Sequence, residues 1–424
     1  MSRLKQRINK KKKFKKFKRL VLFSTFVPIC FSIIIYNSKE HIKNSNSVVL
    51  SSQDIVSKNE NNTLTLSFVG DIMVHNPQLK AQYDFSTNSY SFDNNFKYVK
   101  NYIEKSDLSM ANLETTLAGS TIPYTSYPTF NTPDSIVDAL KYSGIDILST
   151  INNHSFDKGD LGVDRTLNIS KEKGFETVGT ILDVDDNNYL IKNINNIKIG
   201  ITSFSYGEIK NNKKYLNGIE ISEKSKDKMN IFDKYNVDNA FNTINKTLNK
   251  LDDTDIQILF IHWGDEYQRN PSKFQIELAQ KLANRGVDII VGSHPHVVQP
   301  VNMIKSKDGK NETLVIYSLG NFLSNQRSEL LGSKFTEDGL ISEIEITKDF
   351  NNKTFISKAN FIPTWVNKYN NGFKNIYEII PIANKNELNS IENINLDKLK
   401  NSFINTTSQI ETNNIIHIPN NPFE

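Results

Sequence analysis

Short apolar runs alternate with amphipathic segments along the chain from Leu64 onward. The runs have the length and continuous hydrophobicity of buried strands, and they cover residues 64–70, 108–112, 145–150, 256–264 and 287–292. The segments between them repeat apolar residues at helical spacing and predict helices over residues 132–144, 161–174, 237–251 and 272–286. Segment 132–144 also has a Thr-Pro start and a closing Gly. Strands that alternate with helices predict a layered α/β architecture.

Three other segments have different patterns. Residues 189–204 contain two apolar runs around an Asn-Asn pair and predict a hairpin. Residues 205–236 are polar and without period, which predicts an irregular surface insertion. Residues 384–424 are rich in Asn and weakly patterned, so we expect a loosely packed C-terminal extension there.

The N-terminus has the pattern of a membrane anchor. Residues 1–19 carry 11 basic side chains and no acidic one, and residues 20–36 form an uncharged apolar segment. Seventeen residues are at the short end of what crosses a bilayer as a helix. The positive-inside rule then predicts a single-pass protein of the cell membrane with a cytoplasmic N-terminus and an extracellular main domain. A cleaved signal peptide is the competing interpretation.

The net charge of +4 is therefore local to one end of the chain. Without residues 1–19, 40 basic residues face 47 acidic ones, which gives a net charge of −7. This distribution argues against a nucleic-acid partner and for a membrane as the partner of the basic segment. The single cysteine, Cys30, excludes an intramolecular disulfide and a cysteine-based zinc site.

Polar residues whose side chains can bind a metal ion follow the predicted strands. They are Asp71, Glu114, the run Asn152-Asn153-His154, His262, and the pair His294 and His296. Four of the seven histidines of the chain occur in these loops. Ligands of open α/β sheets gather outside the carboxyl ends of the strands, so we expect these side chains to share one crevice.

A mixed set of imidazole, carboxylate and amide groups suits one or two divalent cations, with Mn, Zn or Fe as the candidates. Such ions can clamp the oxygens of a phosphoryl transfer and activate water without a Ser or Cys nucleophile. Each residue also has a structural alternative when taken alone: Asp71 as a turn residue, Glu114 as a cap, His262 as a core histidine. Asp157 and Asp160 are interpreted as loop and capping residues, and His75 and Asn321 as weaker site candidates.

Six short motifs in order resemble the CapA family. They are GDIM (70–73), ANLE (111–114), NNHSFDKG (152–159), HWGDEY (262–267), GSHPHVVQP (292–300) and YSLGNF (317–322). The resemblance covers about residues 64–346. It implies a calcineurin-like metallophosphatase fold, which is a two-sheet α/β sandwich flanked by helices. It also implies a role in making, exporting or anchoring an anionic cell-surface polymer such as poly-γ-glutamate, together with partner membrane proteins.

The resemblance also assigns roles residue by residue. It implies metal-site positions at Asp71, Glu114, Asn153, His262, His294 and His296, and a proton donor to the leaving oxygen at His154. One departure concerns the opening Asp-x-His of metallophosphatases, because Asp71 is followed by Ile72 and Met73. One histidine ligand is thus missing, and His75 lies two residues further on.

The predicted organisation has five parts: a basic segment (1–19), an anchor (20–36), a linker (37–62), a CapA-like domain (63–350) and a C-terminal extension (351–424). Two functions remain open on the sequence. One is an accessory protein of capsule polymer synthesis with a metal site, and the other is an extracellular metal-dependent phosphoesterase or polymer hydrolase. Whether the protein is an enzyme stays open with them.

Overall fold

The computed structural model describes residues 62–424. The predicted anchor at 20–36, its basic flank and most of the linker lie outside the described residues. Within residues 62–424, none of the helices combines the length and the hydrophobicity that crossing a bilayer requires. The described residues belong to one compact unit, Glu60–Glu424.

The first of two large sheets combines parallel and antiparallel strands. Its order is β19-β18-β17-β1-β4-β5-β6, with β16 beside β1 and β20 beside β18. The strands are β1 (Asn62–Ile72), β4 (Leu108–Leu113), β5 (Ile147–Ser149), β6 (Glu176–Val178), β16 (Asn321–Leu323), β17 (Asp338–Lys348), β18 (Thr354–Asn370), β19 (Asn375–Pro381) and β20 (Ile416–His417). A separate small hairpin consists of β2 (Tyr83–Asp84) and β3 (Ser89–Tyr90).

The second large sheet has the order β10-β9-β8-β12-β13-β15-β14, and β7 and β11 also pair with β8. Its strands are β7 (Tyr189–Ile194), β8 (Ile197–Lys210), β9 (Lys213–Leu216), β10 (Ile219–Glu220), β11 (Ile231–Asp233), β12 (Ile256–His262), β13 (Ile289–Ser293), β14 (Val301–Lys305) and β15 (Glu312–Ile316). The predicted hairpin at 189–204 is confirmed by the antiparallel pairing of β7 with β8.

The helices of the described residues lie between these strands in the chain. They are α1 (Asn76–Gln82), α2 (Asp93–Phe96), α3 (Lys100–Ile103), α4 (Ser135–Tyr142), α5 (Gly159–Glu172), α6 (Val237–Leu248), α7 (Lys273–Arg285), α8 (Ser328–Leu331), α9 (Lys385–Asn389) and α10 (Leu396–Thr407). The helices predicted near 132–144, 161–174, 237–251 and 272–286 are confirmed as α4, α5, α6 and α7.

The main core is the layer between the two sheets. Leu66 and Phe68 of β1 share one apolar cluster with Ile199 of β8 and Ile258 of β12. Helix α4 covers the outer face of the first sheet, and α6 and α7 cover the outer face of the second. The central strands are predominantly apolar, as expected for strands with both faces buried. The predicted mixed α/β architecture is therefore confirmed.

The polar segment 205–236 is not irregular, which corrects the expectation from its composition. Strand β8 continues to Lys210, and β9, β10 and β11 extend the second sheet. The turns use Asn211-Asn212 and Asn217-Gly218 with positive φ angles, as two-residue hairpins require. The hydrophobic pattern of this segment is weak because much of the ribbon is exposed. The Asn-Asn and Asn-Gly pairs were therefore the sequence features that indicated hairpins here.

The C-terminal residues also differ from the expectation of loose packing. Strands β18 and β19 lie in the first sheet, and Leu399 and Phe403 of α10 pack against Trp365 and Ile380. Ile416 of β20 belongs to the core between the sheets. The Asn-rich composition concealed this because few apolar positions do the packing, while Asn residues such as Asn395 cap helices.

We predict that Leu399→Ala lowers the free energy of unfolding by about 2–5 kcal/mol, because it leaves a cavity in a buried cluster. Leu396→Ala is the matched control, since Leu396 lies on the same helix and is 62% exposed. Urea unfolding of both variants measures the difference. Equal, small losses of stability would contradict the close packing of α10.

Candidate metal centre

Side chains from both large sheets meet at the carboxyl ends of their strands. Asp71 belongs to the last residues of β1, and Glu114 follows β4 directly. His262 ends β12, and His294 and His296 follow β13. All five side chains are buried. Since β1 and β4 are parallel neighbours, as are β12 and β13, each sheet brings its polar ends together at one edge.

Asn112 connects the two acidic residues. Its Nδ2 atom donates to Oδ1 of Asp71 over 2.8 Å and lies 3.2 Å from Oε2 of Glu114. Its own Oδ1 atom accepts from Asn152, which also donates to the Leu113 carbonyl. This network orients both carboxylates. The oxygens Oδ2 of Asp71 and Oε1 of Glu114 then lie beside the histidines.

The second oxygen of Glu114 lies between two imidazoles. Oε1 is 3.6 Å from Nε2 of His262 and 3.8 Å from Nε2 of His296, and it accepts no hydrogen bond from the described residues. On the other side of His296, Nδ1 lies 3.1 Å from Oδ2 of Asp71. Glu114 is therefore the centre of the cluster, with a free, buried acceptor atom.

The turn after β13 has unusual backbone geometry. His294 and His296 have φ angles of 99° and 57°, in the left-handed region that costs a non-glycine residue about 1–3 kcal/mol. The His294 N–H donates to Oδ2 of Asp71, and this contact ties the turn to the other sheet. Gly292 is required just before the turn, because a Cβ there would collide with the Tyr317 carbonyl. The strained turn aims both imidazoles at the carboxylates.

His262 is held by two neighbours. Its Nδ1 atom lies 2.8 Å from the Ser293 hydroxyl, and its Nε2 atom lies 2.9 Å from Oδ1 of Asn153. The ring centroid of His294 is 4.7 Å away, and the Nδ1 atom of His294 has no hydrogen-bond partner among the described residues. Asn153 thus lies at the cluster through its oxygen, beside the histidine that it orients.

His154 lies at the rim of this cluster and forms a pair with an acid. Its Nδ1 atom is 2.8 Å from Oδ2 of Asp157, and its ring packs edge-on against Phe130. Asn217, at the tip of the β9–β10 hairpin, contacts both ring nitrogens at 3.4–3.5 Å. Asp157 thus orients the ring of His154, which was predicted as a proton donor, and Asn217 covers it.

Burial and mutual charge shift the pKa values of the cluster. Burial and the neighbouring Asp71 charge raise the pKa of Glu114 well above its usual range. Burial and the other imidazoles lower the pKa of His262 and of His294 well below the usual value. His262 and His294 are therefore neutral near pH 7, which is the form that binds metals.

These features fit a divalent cation. Two groups of side chains present donor atoms within 4.8 Å of one another: Glu114 with His294 and His296, and Asp71 and Glu114 with His262. Among residues 62–424, no Lys or Arg forms an ion pair with either carboxylate. The unpartnered atoms of Glu114 and His294 also need a partner, and buried charge without one is costly. A cation between these groups would satisfy both requirements.

The structure brings together the side chains that the sequence singled out. His75 stays outside both groups: its Nδ1 atom accepts from the Asn325 N–H, its ring packs edge-on against Phe130, and burial with the nearby His296 lowers its pKa to about 4. Asn321 lies behind the site and donates to the His296 carbonyl. Asp157 contacts His154 and is more than the loop residue expected, whereas Asp160 bonds Ser222 and Ser225 away from the cluster.

Four residues contribute to the site without having been predicted from the sequence: Asn112, Tyr206, Asn217 and Ser293. Asn112 had a usable signal, because it is a polar residue in a buried strand within the motif ANLE. Tyr206, whose ring lies 4.6 Å from that of His294, and Asn217 come from the segment that was interpreted as a surface insertion. Their positions depend on the fold of that ribbon.

With this geometry established, comparison with known proteins identifies the family. Residues 65–326 match the family of the bacterial capsule synthesis protein PGA_cap, and the chain belongs to this family. The membership predicted from the six motifs is thereby confirmed.

Two curated relatives carry related names. The capsule biosynthesis protein CapA of Bacillus anthracis is 29% identical over 277 residues, which cover 64% of this chain and 62% of that protein. The PGA biosynthesis protein CapA of Bacillus subtilis (strain 168) is 27% identical over 299 residues, 68% of each chain. The match thus spans less than two thirds of the Bacillus anthracis protein.

A solved structure gives a more distant likeness. The NAD nucleotidase NadN of Haemophilus influenzae superposes with a TM-score of 0.41 at 13% identity, over 84% of this chain and 65% of that one. So distant a likeness carries no functional argument.

We predict that the double variant His294→Ala, His296→Ala binds less divalent metal than the parent protein, because it removes two imidazoles from the cluster. Elemental analysis after dialysis against Mn²⁺ or Zn²⁺ measures the content. His417→Ala is the control, since His417 lies in β20, outside both candidate groups. Unchanged metal content in a folded double variant would refute the ligand assignment.

Proposed function

We propose that this protein is a membrane-anchored, extracellular member of its family that takes part in the synthesis, export or anchoring of a capsule polymer, with poly-γ-glutamate as the polymer. The family match over residues 65–326 carries the proposal. The name of the Bacillus subtilis relative, PGA biosynthesis protein CapA, supports the polymer, and the name of the Bacillus anthracis relative supports a role in capsule biosynthesis. The basic segment with the apolar residues 20–36 supports the anchor. Its partners would be the anionic polymer and other membrane proteins of a synthase complex.

The buried cluster supports a metal site of the metallophosphatase type as part of this proposed function. Asp71, Glu114, His262, His294 and His296 would hold one or two divalent cations, with the Asn153 oxygen as a further donor. When bound, such a cation supplies Lewis-acid polarisation of a substrate oxygen and activation of water. The chain itself positions the donors: Asn112 orients the carboxylates, and Ser293 and Asn153 orient His262.

Deletion of the gene in its host bacterium tests the role in capsule synthesis. We expect loss or strong reduction of stained surface polymer, restored by the parent gene. The double variant His294→Ala, His296→Ala should fail to restore it, whereas His417→Ala should succeed, with membrane levels of all three checked by immunoblot. A deletion strain with normal surface polymer would contradict the proposed function.

A second candidate function is that of a metal-dependent phosphoesterase or polymer hydrolase. One observation favours it: His154 is buried, oriented by Asp157 over 2.8 Å, and adjacent to the candidate metal ligand Asn153. A protonated imidazole held in this way can transfer a proton to a leaving oxygen and becomes neutral in doing so. The two functions are compatible if hydrolysis serves polymer assembly.

The second candidate is tested with His154→Gln. If the protein is a hydrolase, this variant should lower kcat on aryl phosphates or on polyglutamate by about 10²–10⁴-fold, the usual contribution of general acid–base catalysis. Its metal content should stay at the parent level, because His154 lies outside both ligand groups. A metal-loaded parent protein without turnover on either substrate would refute hydrolysis.

A further inference from the structure

A second polar cavity lies apart from the metal centre, where β18 meets the start of α10. Its volume is about 350 Å³, and the residues that matter for its chemistry are Arg327, Trp365, Lys368, Asn395 and Lys398. The cavity thus combines three cationic side chains with an indole wall. This is unusual for residues 62–424, in which acidic residues outnumber basic ones.

The charges around the cavity are only partly neutralised. Arg327 is 2% exposed and forms an ion pair with Glu337 over 2.6 Å. Neither Lys368 nor Lys398 forms an ion pair within the part of the chain that the structure describes. Two ammonium groups with no carboxylate within 4.0 Å therefore border the same cavity.

Two further features favour an anion at this cavity. Asn395 is the N-cap of α10, a helix of 12 residues, and its side chain accepts from the Lys398 N–H. The positive end of a helix favours anions near its first turn, although Asp397, which is not among the lining residues, also lies in that turn. The Nε atom of the buried Arg327 donates no hydrogen bond to the described residues.

The positive charges around the cavity lower the pKa of a nearby carboxyl group, that of Glu329. Glu329, on α8, lies 3.9 Å from Nε of Arg327 and is about half exposed. Burial raises its pKa, but its own N–H and the charges of Arg327, Lys398 and Lys368 together lower that pKa below the usual value. The surroundings of the cavity thus stabilise an ionised carboxylate.

The cavity lies at the same end of the first sheet as the metal centre. Gly339 of β17 pairs with Thr364, next to Trp365, and bridges Gly320, whose carbonyl accepts from the Asp71 N–H. Strands β1 and β18 are separated only by β17, so they are about 10 Å apart. An extended chain molecule could therefore contact both places at once.

We propose that this cavity is a carboxylate-binding subsite that holds a free carboxylate of an anionic polymer chain beside the metal centre. Lys368 and Lys398 provide the attraction, the unpaired Nε–H of Arg327 provides a donor, and Trp365 forms an apolar wall for the polymer backbone. The subsite deepens the proposed function, since it rests on the polymer being a polycarboxylate.

Binding of a short poly-γ-glutamate oligomer to the full-length protein tests the proposal by calorimetry. We expect the double variant Lys368→Ala, Lys398→Ala to bind at least about tenfold more weakly, and the affinity of the parent to fall with added salt. Lys400→Ala is the matched control, because Lys400 lies on the same helix, is exposed and does not line the cavity. The same oligomer with amidated carboxylates should not bind.

The outcomes separate this proposal from the proposed function. Equal affinities of the lysine variant and Lys400→Ala, or preference for polyphosphate over polyglutamate, would overturn the carboxylate subsite. Either result would leave the metal content and the capsule phenotype untouched. Conversely, normal capsule in the deletion strain would refute the proposed function even if the oligomer bound at the lysines.

Discussion

Two carboxylates buried without a basic partner are the constraint on which the candidate site depends. Asp71 and Glu114 lie at the ends of adjacent parallel strands, where no Lys or Arg of the described residues reaches them. Burial alone would force one of them to keep a proton, as the raised pKa of Glu114 indicates. The neutral imidazoles of His262 and His294 cannot compensate this negative charge, but they can bind the same cation as the carboxylates. A divalent ion bound by both the carboxylates and the imidazoles would balance the negative charge of the cluster.

The two-sheet architecture makes this meeting possible. The carboxylates come from the first sheet and the imidazoles of His262, His294 and His296 from the second, so neither sheet holds the cluster alone. The apolar layer between the sheets fixes their distance, and the strained turn at 294–296 is tied across by the His294 N–H contact with Asp71. Stability gained in a large core thus holds a costly polar arrangement in place.

The C-terminal residues, which follow the family match over residues 65–326, add to the two-sheet architecture. They complete the first sheet through β18 and β19, and α10 covers its end. In doing so they form a basic cavity at β18, the neighbour of β17, near the edge that carries the candidate metal centre. Acidic residues outnumber basic ones in residues 62–424, so this part of the chain repels a polyanion and would need such a local positive feature to hold one.

The sequence by itself determined the alternation of strands and helices, the position of the ligand residues and the family, because buried strands and the loops that follow them leave strong local patterns. It also predicted that Glu114 and the histidine pair share one crevice, because ligands of α/β sheets gather outside the carboxyl ends of the strands. Only the tertiary structure decided the partners of each atom: Asn112 between the carboxylates, Asn217 over His154, and His75 outside the cluster. It also decided the packing of α10. These outcomes depend on long-range contacts between exposed ribbons and sparse apolar residues, which a local pattern does not encode.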